Sequence, residues 1–201
     1  MKAIKDLVLA SANQGKIVEL QQMLGGLGIK IIPQQTLNIE DVEETGQSFV
    51  ENAILKARNA CEKSGLPAIA DDSGLEVDFL MGAPGIYSAR FAGTDATDQS
   101  NIDKLLEQLH DVPLAERSAR YQSVIVLMRH ATDPTPIICH GSWEGHISFE
   151  QKGNGGFGYD PIFVIDGLDC HAAELDKVTK NKISHRGKAI EQLLSQLSLS
   201  S

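Results

Sequence analysis

The stretch Leu7-Val-Leu-Ala-Ser-Ala-Asn-Gln-Gly-Lys16 decides the fold class. A short apolar run breaks at a polar turn, and Ile17, Leu20, Leu24 and Leu27 then recur at helical spacing. That order is strand, turn, helix. Ser11 or Asn13 is placed to cap the helix, and Gly25, Gly26 and Gly28 are placed to end it. Working outward, Ser48-Phe-Val-Glu51 has capping-box spacing and opens a second helix through Val50, Ala53, Ile54, Ala57 and Cys61. Pro67-Ala-Ile-Ala70 reads as a buried strand that ends at Asp71-Asp72-Ser73-Gly74. Thr97 or Asp98 caps a third helix whose apolar stripe is Ile102, Leu105, Leu106 and Leu109. Ala119 to Arg129 is a full strand, and Ile137 to Phe149 reads as a hairpin turning near Trp143-Glu-Gly145. Ile162 to Ile165 is a further strand, and Ala189, Ile190, Leu193, Leu194 and Leu197 mark a C-terminal helix. Alternation comes first and a β-rich part follows, which gives one α/β domain with a mixed sheet. The stretches near 82–85 and 152–161 read as loops over a cleft, not as linkers.

The 201 residues, 42% hydrophobic and 22% charged, have the composition of a soluble globular chain of about one domain. The longest apolar run, Val124 to Met128, is far short of the ~20 residues that span a bilayer. The early run Leu7 to Ala10 is too short for a signal-peptide core, which needs ~7–15 residues. Cys61, Cys139 and Cys170 are far apart and form no paired motif, which fits a reducing cytoplasm and excludes a disulfide framework. A net charge of −9 argues against a protein that grips a nucleic-acid backbone. The basic residues Lys177, Lys180, Lys182, Arg186 and Lys188 nevertheless cluster with no acid among them. Such a cluster reads either as a site for one small anion or as a solvated helix approach.

Four segments can carry chemistry. Ser11-Ala12-Asn13-Gln14-Gly15-Lys16 enters a helix N-terminus, where free N–H groups and the dipole suit a phosphate, although on spacing alone an ordinary capped helix explains it better. Glu43-Glu44 and Asp71-Asp72 offer carboxylates for Mg²⁺ beside a polyphosphate, or for a base that deprotonates water; acidic pairs also decorate plain turns. In Gly153-Asn-Gly-Gly-Phe-Gly-Tyr-Asp-Pro161, four glycines in six residues allow close backbone approach to a ligand. Phe157 there is either a stacking face for a base or a core residue. Finally, His185 and Arg186 in Lys180-Asn-Lys-Ile-Ser-His-Arg-Gly187 offer directional donors to carbonyl or phosphate oxygens. No zinc-type histidine spacing exists.

In order, Ser-x-Asn-x-x-Lys, Glu-Glu-Thr-Gly, Glu-Asn-Ala-x-x-Lys-Ala, Asp-Asp-Ser-Gly-Leu, Gly-Ala-Pro-Gly-Ile-Tyr-Ser-Ala-Arg, Gly-Gly-Phe-Gly-Tyr-Asp-Pro-Ile-Phe and Ser-His-Arg-Gly resemble the inosine/xanthosine triphosphate pyrophosphatase family, bacterial type. The likeness runs from Leu9 to the final helix, with Ser11-Ala12 standing where many members have Thr-Gly. It implies a single pyrophosphatase domain over residues 1–201, with an elongated α/β body, a mixed central sheet and two lobes around a deep nucleotide cleft. It also implies a cytoplasmic homodimer that binds neither nucleic acid nor membrane. The implied reaction is Mg²⁺-dependent hydrolysis of non-standard purine nucleoside triphosphates to the monophosphate and pyrophosphate, which cleanses the nucleotide pool. Carried over by motif, Ser11, Ala12, Asn13, Gln14, Gly15 and Lys16 line the triphosphate, and Lys56 reaches it from the second helix. Asp72 is then the general base and a metal ligand, with Glu44 as its metal partner and Ser73 beside the nucleotide. Phe157, Gly158, Tyr159, Asp160, Lys180, His185 and Arg186 hold the base. The competing readings are a pyrophosphatase for pyrimidine or modified nucleotides and a nucleotide-binding regulator that never turns over.

Overall fold

The computed structural model describes residues 4–25 and 28–198, so Gly26 and Leu27 lie outside the described residues. The elements that matter are β1 (Asp6–Ala10), α1 (Gln14–Leu24), β2 (Lys30–Pro33), α2 (Phe49–Ser64), β3 (Ala68–Val77), α3 (Asp98–Gln108), β4 (Ser118–Met128), β5 (Ile137–Ile147), β6 (Phe163–Ile165), α4 (Lys177–Ile183) and α5 (His185–Ser198). The strands form one mixed sheet in the order β2-β1-β3-β4-β5-β6. Within it β1 is parallel to β2 and to β3, whereas β6 is antiparallel to β5. Among the described residues no helix is long and apolar enough to cross a membrane.

The chain forms two compact units. Unit 1 comprises residues 1–72, 123–141 and 186–201. β1 and the adjoining parts of β3 and β4 are apolar on both faces, as expected where helices cover each side of a sheet. Leu7, Leu9, Ile69, Ile125 and Leu127 face one way and pack with Ile17, Leu20 and Leu24 of α1 and Ala189, Ile190 and Leu193 of α5. Val8, Ala10, Ala68, Ala70, Val124, Val126 and Met128 face the other way and meet Ala53, Ala57, Ala60 and Cys61 of α2. The small alanines on that face let α2 lie close to the strands. Unit 2, residues 73–122 and 142–185, has its own core. There Ile102, Leu105 and Leu109 of α3 pack with Leu75, Val77, Tyr121, Trp143, Ile147 and Phe163.

The caps follow the sequence. The Asn13 side chain accepts from the Lys16 N–H at 3.1 Å, and Ser48 with Glu51 caps α2. Thr97 and Ser100 make a reciprocal capping box on α3. Two expectations need correction. The strand through Ala68 does not end at Asp72 but continues to Val77, with Leu75 and Val77 both fully buried. Residues 137–147 form one uninterrupted strand rather than a hairpin. Gly145 is no turn: a Cβ there would lie 2.2 Å from the Val164 carbonyl oxygen and 2.7 Å from the Phe163 ring, so β6 approaches too closely for any side chain. The short strand β2 and the two-turn helix α4 carry too few apolar positions to announce themselves by period.

Candidate active site

Unit 1 gathers most of the charged candidates. Lys56 projects from the third turn of α2, where its ammonium donates to Asp72 Oδ1 at 2.6 Å and to Glu44 Oε1 at 3.1 Å. Asp72 is 6% exposed, and its second oxygen, Oδ2, is buried without a hydrogen-bond partner among the described residues. A buried carboxylate oxygen left in that condition costs free energy unless a ligand, ion or water completes it. Burial pushes the Asp72 carboxyl above its ordinary range, and the attraction of Lys56 and Lys16 offsets only part of that. For Lys56 the balance goes the other way: burial would lower its pKa, but Asp72 and Glu44 hold it above the usual value. Of the two adjacent glutamates, Glu44 is the one turned to this cluster, while Glu43 is exposed.

Lys16, in the first turn of α1, pairs with Asp71 Oδ2 at 2.9 Å. Asp71 also accepts from Ser123 Oγ at 2.5 Å and from Arg186 at 3.2 Å. The Arg186 guanidinium bonds Glu19 as well, which stands three residues after Lys16 on α1. Burial alone would raise the Asp71 carboxyl, yet Arg186 and Lys16 hold it well below the usual range. Burial pushes the Lys16 ammonium down, and Asp71 opposes that shift. Of the loop before α1, Ser11 is buried, Ala12, Asn13 and Gln14 are exposed, and Gly15 is half-buried. Exposed backbone at a helix N-terminus is what a phosphate needs.

Unit 2 gathers a second group. Lys180 and Asp160 form a buried pair at 2.5 Å, and the Phe157 N–H donates to the same Asp160 oxygen at 2.9 Å. The Lys180 ammonium stands 5.0 Å from the centre of the half-buried Phe157 ring. Asp98, the first residue of α3, accepts the Gly158 N–H at 2.7 Å and so ties the glycine loop to that helix. His185 is buried and stacks on Tyr121, with centroids 4.8 Å apart and planes 9° from parallel. The Tyr159 side chain is core: its ring is buried and its hydroxyl donates to the Ser88 carbonyl. Ser73 is half-buried on β3.

The structure therefore places Lys16, Glu44, Lys56, Asp72 and Arg186 in unit 1, and Phe157, Asp160, Lys180 and His185 in unit 2. Arg186 pairs with the carboxylates Asp71 and Glu19. Glu19, Ser123 and Tyr121 are not singled out by any motif, and Asp98 is read only as a candidate cap of the third helix. Glu19 had one available signal, its i,i+3 spacing from Lys16.

The Ham1 family model matches residues 7–196. A dITP/XTP pyrophosphatase of Vibrio parahaemolyticus serotype O3:K6 is 56% identical over 195 residues, covering 97% of this chain and 98% of that protein. The solved structure of a HAM1 protein from Coxiella burnetii superposes with a TM-score of 0.91 at 52% identity, over 97% of this chain and 99% of that one. A Mycobacterium abscessus structure described as a nucleoside-triphosphatase and dITP/XTP pyrophosphatase matches with a TM-score of 0.77 at 40% identity, over 94% of this chain and 98% of that one. With a family model spanning nearly the whole chain and relatives above half identity, this chain belongs to the Ham1 family.

Proposed function

We propose that the protein is a nucleoside-triphosphate pyrophosphatase that hydrolyses inosine, deoxyinosine and xanthosine triphosphates to the monophosphate and pyrophosphate. The observation that carries this reading is the Glu44–Lys56–Asp72 cluster, with one Asp72 oxygen paired and the other buried and uncompleted. The relatives' names support it. We place the whole activity in one domain over residues 1–201, acting as a cytoplasmic homodimer.

The residues fit a magnesium ion on their donor chemistry. Two carboxylates, Asp72 and Glu44, share one lysine, and Asp72 Oδ2 is the orphaned atom. Among the described residues no set of three His, Cys, Asp or Glu side chains comes together, which suits a cation that keeps several waters and takes substrate phosphate oxygens. When bound, Mg²⁺ supplies charge neutralisation on the phosphates. Asp72 takes the proton of the attacking water on Oδ2 while Oδ1 stays bonded to Lys56, which fixes the carboxylate plane. Lys16 and Lys56 offset charge on the triphosphate, with the loop Ser11 to Gly15 offering N–H groups.

For the base, Phe157 offers a stacking face, and Asp160, Lys180 and His185 supply hydrogen bonds, with Gly158 and Tyr159 contributing backbone. A 6-keto group satisfies donors that adenine's amino group leaves unpaired. Inosine and xanthosine triphosphates should accordingly release pyrophosphate with kcat/KM at least about 100-fold above adenosine triphosphate. Side-by-side turnover of inosine, xanthosine, guanosine, adenosine and pyrimidine triphosphates with Mg²⁺ tests this. Preference for a pyrimidine would replace the substrate assignment, and tight binding with no pyrophosphate formed would make the protein a regulator.

The Lys56 role has its own control on the same helix. Lys56→Ala should lower kcat/KM for inosine triphosphate about 10- to 100-fold. Lys63→Ala, at an exposed position in the last turn of α2, should leave it unchanged. Equal behaviour of the two variants removes Lys56 from the phosphate site.

A further inference from the structure

Along β3 the residues Ile69 and Asp71 share one face, and along β4 Ser123 and Ile125 do. Ile69 and Ile125 belong to the apolar layer under α1 and α5. The next positions on that same face are a fully buried carboxylate and a buried hydroxyl, and the two are bonded to each other. Burying an ionic network seldom adds net stability over an apolar packing of the same volume. Here four elements of unit 1 converge on it: Lys16 and Glu19 from α1, Asp71 from β3, Ser123 from β4 and Arg186 from the first turn of α5. Arg186 and Ser123 approach Asp71 from two sides, while Lys16 Nζ sits on Oδ2 at 2.9 Å.

Lysine is a point charge on a flexible stem, with much rotamer freedom to lose. A lysine that must meet a phosphate at one place gains from a rigid partner. We infer that Asp71 is a positioning residue: held by Arg186 and Ser123, its carboxylate fixes the Lys16 ammonium for the phosphates, and Arg186 serves that end of the site through Asp71. The inference rests on the pyrophosphatase reading for the identity of the substrate, and on the geometry alone for the clamp.

The experiment is a double-mutant cycle of Asp71→Asn with Lys16→Ala, read in two ways: calorimetric binding of inorganic tripolyphosphate, and kcat and KM for inosine triphosphate. Melting temperatures show which variants are folded. Asp71→Asn should weaken both readouts by about 10- to 100-fold. The double variant should then be no worse than Lys16→Ala alone, because the carboxylate acts only through that lysine. Losses that multiply would mean an independent or merely structural role and overturn the inference. Should Asp71→Asn fail to fold, Ser123→Ala keeps every charge and loosens the same carboxylate. It should give a smaller loss that vanishes in the Lys16→Ala background, and a loss that persists there overturns the inference. Asp71→Asn and Arg186→Lys should leave the ratio of inosine to adenosine triphosphate turnover unchanged, and a narrowed ratio in Arg186→Lys would return Arg186 to the base. If tripolyphosphate binding follows the cycle but no triphosphate is hydrolysed, the function reading fails and the clamp stands.

Discussion

Asp72→Asn should lower kcat for inosine triphosphate by about 10²- to 10⁴-fold, the usual cost of losing a general base. The substitution keeps the volume of the side chain and the Oδ1 acceptor for Lys56. It replaces Oδ2, the oxygen that is buried and uncompleted, with an amide nitrogen that donates rather than accepts. The base and one negative charge of the cation site disappear together. Stability should change little by comparison, because Lys56 retains Glu44 and one neutral acceptor at the Asp72 position. Thermal melting should therefore show a folded protein, and equilibrium binding of the inosine monophosphate product should persist while turnover collapses. A folded Asp72→Asn enzyme with near-normal kcat would take the base away from Asp72 and leave Glu44 as the remaining carboxylate of the cluster.

That cluster shows what a sequence discloses and what it hides. The caps of α1, α2 and α3 were legible because Asn13, Ser48 and Thr97 bond N–H groups three residues away, a local event with a local signature. The two-faced burial of β1 was legible for the same reason, as a continuous apolar run. Asp71-Asp72-Ser73-Gly74 has the chemistry of a turn, and local propensity alone would end the strand there. Tertiary partners override it: Lys16, Arg186, Ser123 and Lys56 come from three helices and a neighbouring strand and bond both Asp71 oxygens and one Asp72 oxygen within an extended backbone. Trp143-Glu-Gly145 misleads in the same direction. A glycine beside a large aromatic reads as a turn, but what requires Gly145 is the Val164 carbonyl lying against it. Close approach by a distant strand leaves no local trace. Ser123, Tyr121 and Asp98 are ordinary strand and helix-start residues until Asp71, His185 and Gly158 are brought to them. The recurrent motifs around Lys16, Lys56, Asp72, Phe157 and Lys180 could be named from sequence, whereas the residues that hold them could not.

Gly156 is where that distinction has its largest expected consequence in unit 2. Its φ of +75° is one that side-chain-bearing residues rarely adopt, and a Cβ there would lie 1.9 Å from Asp160 Oδ2, 2.8 Å from Asp160 Cγ and 3.1 Å from Lys180 Nζ. Asp160 cannot simply swing aside, because it is 2% exposed and its Oδ2 accepts from both the Phe157 N–H and Lys180. Gly156→Ala must therefore break hydrogen bonds to a buried charge, each worth about 1.5–3 kcal/mol. The same bonds set the orientation of the Phe157 backbone and of Lys180, the groups proposed to hold the base. Loss of two of them should lower kcat/KM for inosine triphosphate by at least about 100-fold. Gly167→Ala supplies the contrast, since its φ is +80° but nothing lies within 4 Å of the added Cβ. It should cost about 1 kcal/mol of stability through backbone strain alone, with activity kept. Urea denaturation of the two variants, alongside kcat/KM for inosine triphosphate, separates strain from site disruption. If Gly156→Ala matches Gly167→Ala in both measurements, the Asp160 carboxylate has room to move, and the Phe157–Asp160–Lys180 arrangement is not what selects the base.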